Sequence, residues 1–406
     1  MTQTVPVPQG LPMERNAGPF DPPREITQLR DARPVSPLLF PDGHEGWLVT
    51  GYDEVRQVMT DVRFSSRQDI GVLHVPYETP GMPAATEPQP QVPGLFVAMD
   101  PPDHTRLRRK LIGAFTVKRM KTLEQHIIDI TERQLDAMAS LTPPVDLVKE
   151  FALPVPSLVI CELLGVPYGD RATFQVNSAK FLLKDQPLED KMAAYGAMTG
   201  YLAELVMGKR AEPGEDILSD LARDEDLSIE ELVGIAFLLL LAGHETTANM
   251  LALGTFALLE YPEQLAELRA DPELVPDAVE ELMRYLSVAD IFYRYATEDI
   301  EVGGEVIGKG STVVISLLAA NHDPRRFENP DSLDIHRKAR GHLTFGHGMH
   351  QCLGQQLARI EMRAGFAGLI RRFPTLELAA GEVRLRTDMN IYGVHELPVT
   401  WTETEE

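Results

Sequence analysis

Phe345-Gly346-His347-Gly348-Met349-His350-Gln351-Cys352-Leu353-Gly354 is the stretch on which the reading of this chain turns. It sets a cysteine on a glycine-punctuated loop just ahead of a strongly amphipathic run, residues 353–373. Backbone N–H groups converge at such a helix start and favour a thiolate over a thiol. Gly346, Gly348 and Gly354 let the backbone pass close to a flat cofactor without interference from a Cβ. Cys352 therefore reads as an anionic ligand. Two blander readings compete with this one. His342, His347, His350 and Cys352 are zinc-ligand types, but their spacing matches no common finger and no second cysteine pair lies nearby. A buried structural cysteine is the other, and it suits Cys161, inside the apolar run Val159-Ile160-Cys161-Glu162-Leu163-Leu164, far better.

The 406 residues are 44% hydrophobic, enough to bury a large core. Length suggests two or three domains, yet no linker separates independent halves, so one domain over residues 1–406 is expected, with residues 1–20 a mobile tail. Two cysteines exclude a disulfide framework and suit a reducing cytoplasm. The N-terminus has neither the basic nor the apolar region of a secretory leader. The most apolar run, residues 232–242, is too short to span a bilayer, so a soluble cytoplasmic protein is expected. A formal charge of −23 speaks against nucleic acid as a partner. Against it stand basic clusters at Arg106, Arg108, Arg109, Lys110, Lys118, Arg119 and Lys121, and at Arg337, Lys338 and Arg340.

Along the chain, residues 46–52 read as a strand and residues 53–63 as a helix. Six prolines between residues 65 and 99 prevent a regular helix there. Helical patterns follow over residues 102–141 and 155–164, and over 179–210 with a break near Asp185-Gln186-Pro187. The longest helix is expected to start at Ser228, where Ser228-Ile229-Glu230-Glu231 makes a capping box, and to end before Pro262. Another helix covers residues 272–286, and the Gly303-Gly304 pair marks a hairpin over residues 297–307.

Inside the longest helix, Ala242-Gly243-His244-Glu245-Thr246-Thr247 interrupts an apolar run. Polar groups are costly there unless they line a cavity or find partners. A Thr246 hydroxyl can bond the carbonyl of Ala242 and bend the helix, while Gly243 leaves room above a flat cofactor. Glu281 and Arg284 are three apart and share a helix face. His104 and Arg108 share another.

The pattern F-G-x-G-x-H-x-C-x-G resembles the heme-ligand loop of cytochrome P450 monooxygenases. Ala242-Gly243-His244-Glu245-Thr246 is similar to that family's oxygen-activation motif, and Glu281-Leu282-Met283-Arg284 to its structural E-x-x-R pair, in the same order along the chain. The resemblance runs from about Glu45 to the end. It implies a mainly α fold with small β-sheets (α+β), a triangular prism holding heme between the long central helix and the cysteine loop. It implies heme b ligated through Cys352, with Phe345, Gly346 and Gly354 shaping the loop, and with His104, Arg108, Arg294 and His350 holding the propionates. Thr246 and Glu245 would manage dioxygen and protons beside Ala242 and Gly243. Where many relatives carry an arginine in a later segment, Ser332 falls here, and Arg337 is the candidate third member of the Glu281–Arg284 network.

By the same resemblance the 65–99 loop caps a substrate pocket and residues 179–210 form a mobile lid. Substrate contacts are expected from Leu238, Val288, Ala289, Asp290, Ile291, Asn390 and Ile391, with Asp290 and Asn390 orienting a polar group. These stretches are mostly apolar, so the substrate is expected to be lipophilic, in the manner of macrolides, other polyketides, steroids or xenobiotics. Electrons would come from NAD(P)H through a reductase and a ferredoxin, the latter docking on Arg106, Arg109, Lys110, Lys118, Arg119 and Lys338. A peroxide-driven or epoxidising variant is one alternative, and a non-catalytic heme binder that recruits a partner is another.

Overall fold

The computed structural model describes residues 7–72, 74–77, 86–184 and 186–402. Its axis is the helix Ile229–Glu260, 32 residues long and so about 48 Å at 1.5 Å per residue. Ser228 caps it through Glu231 N–H while the Glu231 carboxylate returns to Ser228 N–H, the expected capping box. Pro262 opens the next helix, Pro262–Ala270, and so ends this one. Apolar side chains surround it on nearly every side, which is the signature of a helix enclosed by others. Taken whole, it is long and apolar enough to cross a membrane, unlike the shorter run judged from sequence, but most of it is buried by this chain. Helices Pro154–Leu164, Leu188–Ala211, Val275–Leu286 and Gln355–Arg372 all pack against it.

Several boundaries shift from the sequence reading. The run over residues 102–141 is two helices, Asp103–Ile112 and Val117–Ala139, because Thr116 turns extended and caps the second through Arg119 N–H. The helix expected from residue 272 begins as a short 3₁₀ turn, Pro272–Leu274, before Val275–Leu286. The lid pattern resolves into Arg171–Leu182 and Leu188–Ala211; Asp185, within the expected break, lies outside the described residues.

The main sheet has five strands in the order Val35–Leu39, Glu45–Val49, Thr312–Ser316, Ile291–Ala296, Phe64–Ser65. Thr312–Ser316 is buried at all five positions, as a central strand with both faces covered should be. The Gly303-Gly304 turn joins Ile300–Val302 to Glu305–Ile307 as expected.

The tail expected over residues 1–20 divides. Residues 1–6 lie outside the described residues. Residues 7–20 are packed: Gln9 pairs with the edge strand at Leu39, Leu11 is buried, and the Phe20 ring meets Phe256 edge-on at 5.0 Å. Covering an open sheet edge and burying two apolar side chains is reason enough for that order.

Candidate active site

The cysteine loop is shaped by two left-handed glycines, Gly346 at φ 67° and Gly348 at φ 72°. A Cβ on Gly348 would come within 2.5 Å of the Met59 carbonyl, so only glycine lets the loop seat on the end of helix Tyr52–Thr60. The loop closes through Cys352 N–H to Phe345 O at 2.8 Å and Gln351 N–H to Gly348 O at 3.1 Å. Arg108 donates to Gln351 O. The helix Gln355–Arg372 starts just beyond, and the Gly354 N–H points at the Cys352 sulfur. Cys352 has accessible surface, but burial of its surroundings pushes the free thiol up rather than down. The Gly354 N–H, Arg108 and Arg359 oppose that shift without overcoming it. Stabilising the thiolate here calls for a bound cation, which a metal supplies. Cys161, by contrast, is 3% exposed in the core and its thiol is pushed up to about 11 by burial.

The histidines of the loop diverge. His342 meets Glu280 at 3.1 Å, His347 meets Arg56 at 3.4 Å, and His350 turns inward. There His104 and His350 stack obliquely at 4.2 Å. Arg294 lies buried close by, its guanidinium pushed down to about 10 by burial although Asp100 opposes this. Burial, then the charges of Arg294, His104 and Arg108, push His350 down to about 3. The four residues singled out from sequence thus form one cluster. Among the described residues, both His104 ring nitrogens and His350 Nδ1 are buried without a hydrogen-bond partner. Such orphaned donors beside two guanidiniums are what carboxylates of a bound group would satisfy. Sequence reasoning missed Ser66, whose hydroxyl lies 3.1 Å from His350 Nε2, and Asp100, which accepts from Ser65 Oγ and Ser66 N–H.

On the long helix, Thr246 Oγ1 donates to Ala242 O at 2.8 Å, the back-bond read from sequence. Ala242 is exposed although it lies mid-helix, so this turn borders open space. Gly243 does not. A Cβ there would stand 2.8 Å from Ile160 Cγ1, so glycine serves the packing of helix Pro154–Leu164, not room above a cofactor. Glu245 is 3% exposed and is gripped from two sides, by Arg386 Nη1 at 3.2 Å and His244 Nε2 at 3.6 Å. Burial would raise its carboxyl, but His244 and Arg386 hold it below the usual carboxylate range. The helix following Cys352 packs on the same stretch, with Glu361 bonded to Thr247 and Phe366 against Gly254. A thiol on a glycine loop, a cationic pocket with unsatisfied donors and a small-residue helix turn make a donor set that fits an iron porphyrin bearing two carboxylates.

Comparison with known proteins settles the family. A family model described as Cytochrome P450 matches residues 208–401. Cytochrome P450 105C1 from a Streptomyces species is 47% identical over 405 residues, covering 99% of this chain and 100% of the relative. Pentalenic acid synthase of Streptomyces avermitilis is 45% identical, covering 98% of each. The crystal structure of CYP105P1 in complex with filipin I superposes with a TM-score of 0.92 at 44% identity, over 98% of this chain and 100% of that one. This chain belongs to the cytochrome P450 family. It has the P450 fold and is an oxidoreductase of the monooxygenase class, and the family implies heme iron, dioxygen and electrons from redox partners.

Within this P450 the structural pair is buried whole. Arg284 and Glu281 meet through two 2.8 Å bonds, with both side chains 0% exposed. Arg284 also donates to Asn321 O and Pro330 O, and Arg337 reaches Glu281 Oε1 at 3.1 Å as the third member.

Two groups of expected residues are placed differently. Asp290 has one oxygen engaged inside the chain: its Oδ1 accepts from Ser316 Oγ and Leu318 N–H, both at 2.8 Å, and so caps helix Leu317–Asn321. Val288 is 3% exposed in the core, and Ile291 packs beside the buried cluster around Leu48. Asn390 Oδ1 accepts from Tyr77 OH at 2.6 Å, tying the proline-rich loop to the C-terminal hairpin; residues 73 and 78–85 of that loop lie outside the described residues. Of the expected docking cations, Arg106 pairs with Glu231, Lys110 with Asp224, and Arg119 with Asp220. Partners more than 100 residues away in sequence spend those charges internally.

Proposed function

We propose that this P450 hydroxylates a lipophilic small molecule, polyketide, macrolide or steroid-like, using O₂ and electrons passed from NAD(P)H through a ferredoxin reductase and a ferredoxin in the cytoplasm. The observation that carries this reading is the presence in one chain of an accessible Cys352 thiol and of the Thr246–Glu245 turn on the long helix. Heme b, when bound through a thiolate, supplies iron that activates dioxygen. His104, Arg108, Arg294 and His350 would hold its carboxylates by charge-assisted hydrogen bonds. Gly346 and Gly348 keep the loop backbone close, and Phe345 O fixes the cysteine by accepting its N–H. Thr246 offers a hydroxyl beside the open face at Ala242, and the adjacent Glu245 carboxylate, ionised at rest, would relay a proton toward it by first accepting one from solvent and then releasing it. Leu238, Ala289, Ile391 and the Tyr77–Asn390 contact remain the candidates for shaping the pocket. The relative named for pentalenic acid and the structure holding filipin I agree with a lipophilic substrate.

The docking surface moves with the corrected ion pairs. Arg109, Lys118 and Lys338 are exposed and have no carboxylate partner among the described residues, and neither do Arg56, Arg326 and Arg340. Arg56 and Arg326 flank the Tyr52 ring, whose hydroxyl bonds Gly341 O beside Arg340, and Arg56 touches His347 of the cysteine loop. In a chain of formal charge −23, the uncompensated Arg56, Arg326 and Arg340 cluster beside the cysteine loop suits an acidic electron carrier.

The test is reconstitution with NADPH, a ferredoxin and its reductase against a panel of filipin I, macrolides and steroids. A product gaining one oxygen atom, dependent on both reductase and O₂, is expected. Turnover with hydrogen peroxide but not with the reductase chain would favour the peroxide-driven variant, and bound heme with no product under either condition would favour a non-catalytic role.

A further inference from the structure

Of the three side chains that meet the Glu245 carboxylate, Asn249 Nδ2 at 3.4 Å lies one turn along the same helix, while His244 and Arg386 both lead to one distant segment. On one side, His244 is 1% exposed; its Nδ1 bonds Leu240 O at 2.6 Å and its Nε2 shares a 3.2 Å hydrogen bond with Ser178 Oγ. Ser178 is itself fully buried and sits on helix Arg171–Leu182, the first lid helix. On the other side, Arg386 stands at the base of a hairpin closed by Arg386 N–H to Gly393 O at 2.8 Å and by the Leu385–Val394 bridge. The tip of that hairpin grips the chain just after the same helix. Leu183 pairs with Met389, Lys184 N–H donates to Asp388 O at 2.7 Å, and Lys184 Nζ donates to Thr387 O at 3.3 Å.

We propose that Ser178 and Arg386 are positioning residues through which the lid segment, residues 171–184, sets the orientation of the Glu245 carboxylate. Two independent routes, a 3.6 Å contact through His244 and a 3.2 Å hydrogen bond through the Arg386 hairpin, converge on one carboxylate from one segment. With the segment seated as here, Glu245 is held between an imidazole and a guanidinium. Lifting it removes the Ser178 bond from His244 and the main-chain support from the Arg386 hairpin together. The carboxylate then keeps only the Asn249 bond within its own helix and loses the two contacts that fix it for proton transfer to the Thr246 region. Proton handling is thereby confined to the lid-seated form. This deepens the functional reading of Glu245 and rests on it for its meaning, but the physical linkage stands or falls separately.

Linkage is reciprocal, so releasing the carboxylate must loosen the lid. The holoenzyme and its Glu245→Gln, Ser178→Ala and Thr246→Ala variants are compared by amide hydrogen exchange with mass spectrometry, substrate-free. Glu245→Gln is expected to speed exchange of the amides at residues 183–184 and 386–390 by about fivefold or more, the lower end of ordinary coupling between sites. Ser178→Ala is expected to speed exchange in residues 386–390 although it does not touch the hairpin. Thr246→Ala, which removes only a back-bond, should leave both segments unchanged. Unchanged exchange at residues 183–184 in Glu245→Gln would overturn the proposal, as would equal loosening by Thr246→Ala. A holoenzyme that lacks thiolate ligation would contradict the functional reading while leaving the exchange result intact.

Discussion

Arg284 and Glu281 form a fork of two 2.8 Å bonds in which neither side chain has any exposed surface, and Arg284 ties this fork to Asn321 O and Pro330 O. A buried ion pair gains little over apolar packing, but removing one partner leaves the other charge stranded. Glu281→Gln or Arg284→Ala is therefore expected to cost about 3–5 kcal/mol. Arg337→Ala, removing a partner with 14% side-chain exposure, should cost about 1–2 kcal/mol. Urea denaturation of the three variants checks the ranking.

Gly243 meets Ile160, so Gly243→Ala should cost stability despite the better helix propensity of alanine, which is worth about 1 kcal/mol. Overpacking is expected to leave a net loss of about 1–2 kcal/mol. In an Ile160→Ala background the same change should become neutral or stabilising, and the double-mutant cycle reads the coupling directly.

Asp290 acts as a cap. Asp290→Ala should lower stability by about 1–2 kcal/mol while leaving affinity within about twofold for any ligand that shifts the heme spin state of the parent. A large loss of affinity with unchanged melting would return Asp290 to the substrate pocket.

Glu280 gives a pH dependence of defined sign. Burial would raise its carboxyl, but His342 and Arg359 hold it down to about 2 from an ordinary value of 4.5. A depressed folded-state value means stabilisation that is full above 4.5 and lost as pH falls toward 2. Glu280→Gln should thus be less stable than the parent by roughly 2 kcal/mol at pH 7. The two should converge between pH 4.5 and 2, as followed by denaturation midpoints across that range.

What was legible in the sequence was local. Ser228 and Glu231 are three residues apart, as are Glu281 and Arg284, and a helix fixes such pairs whatever surrounds it. The Thr246 back-bond and the Gly303-Gly304 turn were readable for the same reason. Long-range pairings were not. Arg386 meets Glu245 across 141 residues, Ser66 meets His350 across 284, and no periodicity announces either. The same blindness made Arg106, Lys110 and Arg119 look free, since their carboxylates lie on distant elements. The capping role of Asp290 was equally invisible, since it exists only because strand Ile291–Ala296 pairs with Thr312–Ser316 and brings Leu318 N–H to it. Gly243 misled differently: its smallness was read correctly, but the neighbour it accommodates is a helix.

The account depends on Cys352 bonding the heme iron as a thiolate. Its most direct test is the absorption spectrum of the purified, reduced protein under carbon monoxide, recorded beside Cys352→His. The parent should show the strongly red-shifted Soret band of thiolate ligation, and the variant should keep heme but lose that band. A parent spectrum of imidazole type, or one that Cys352→His leaves unchanged, would contradict the account.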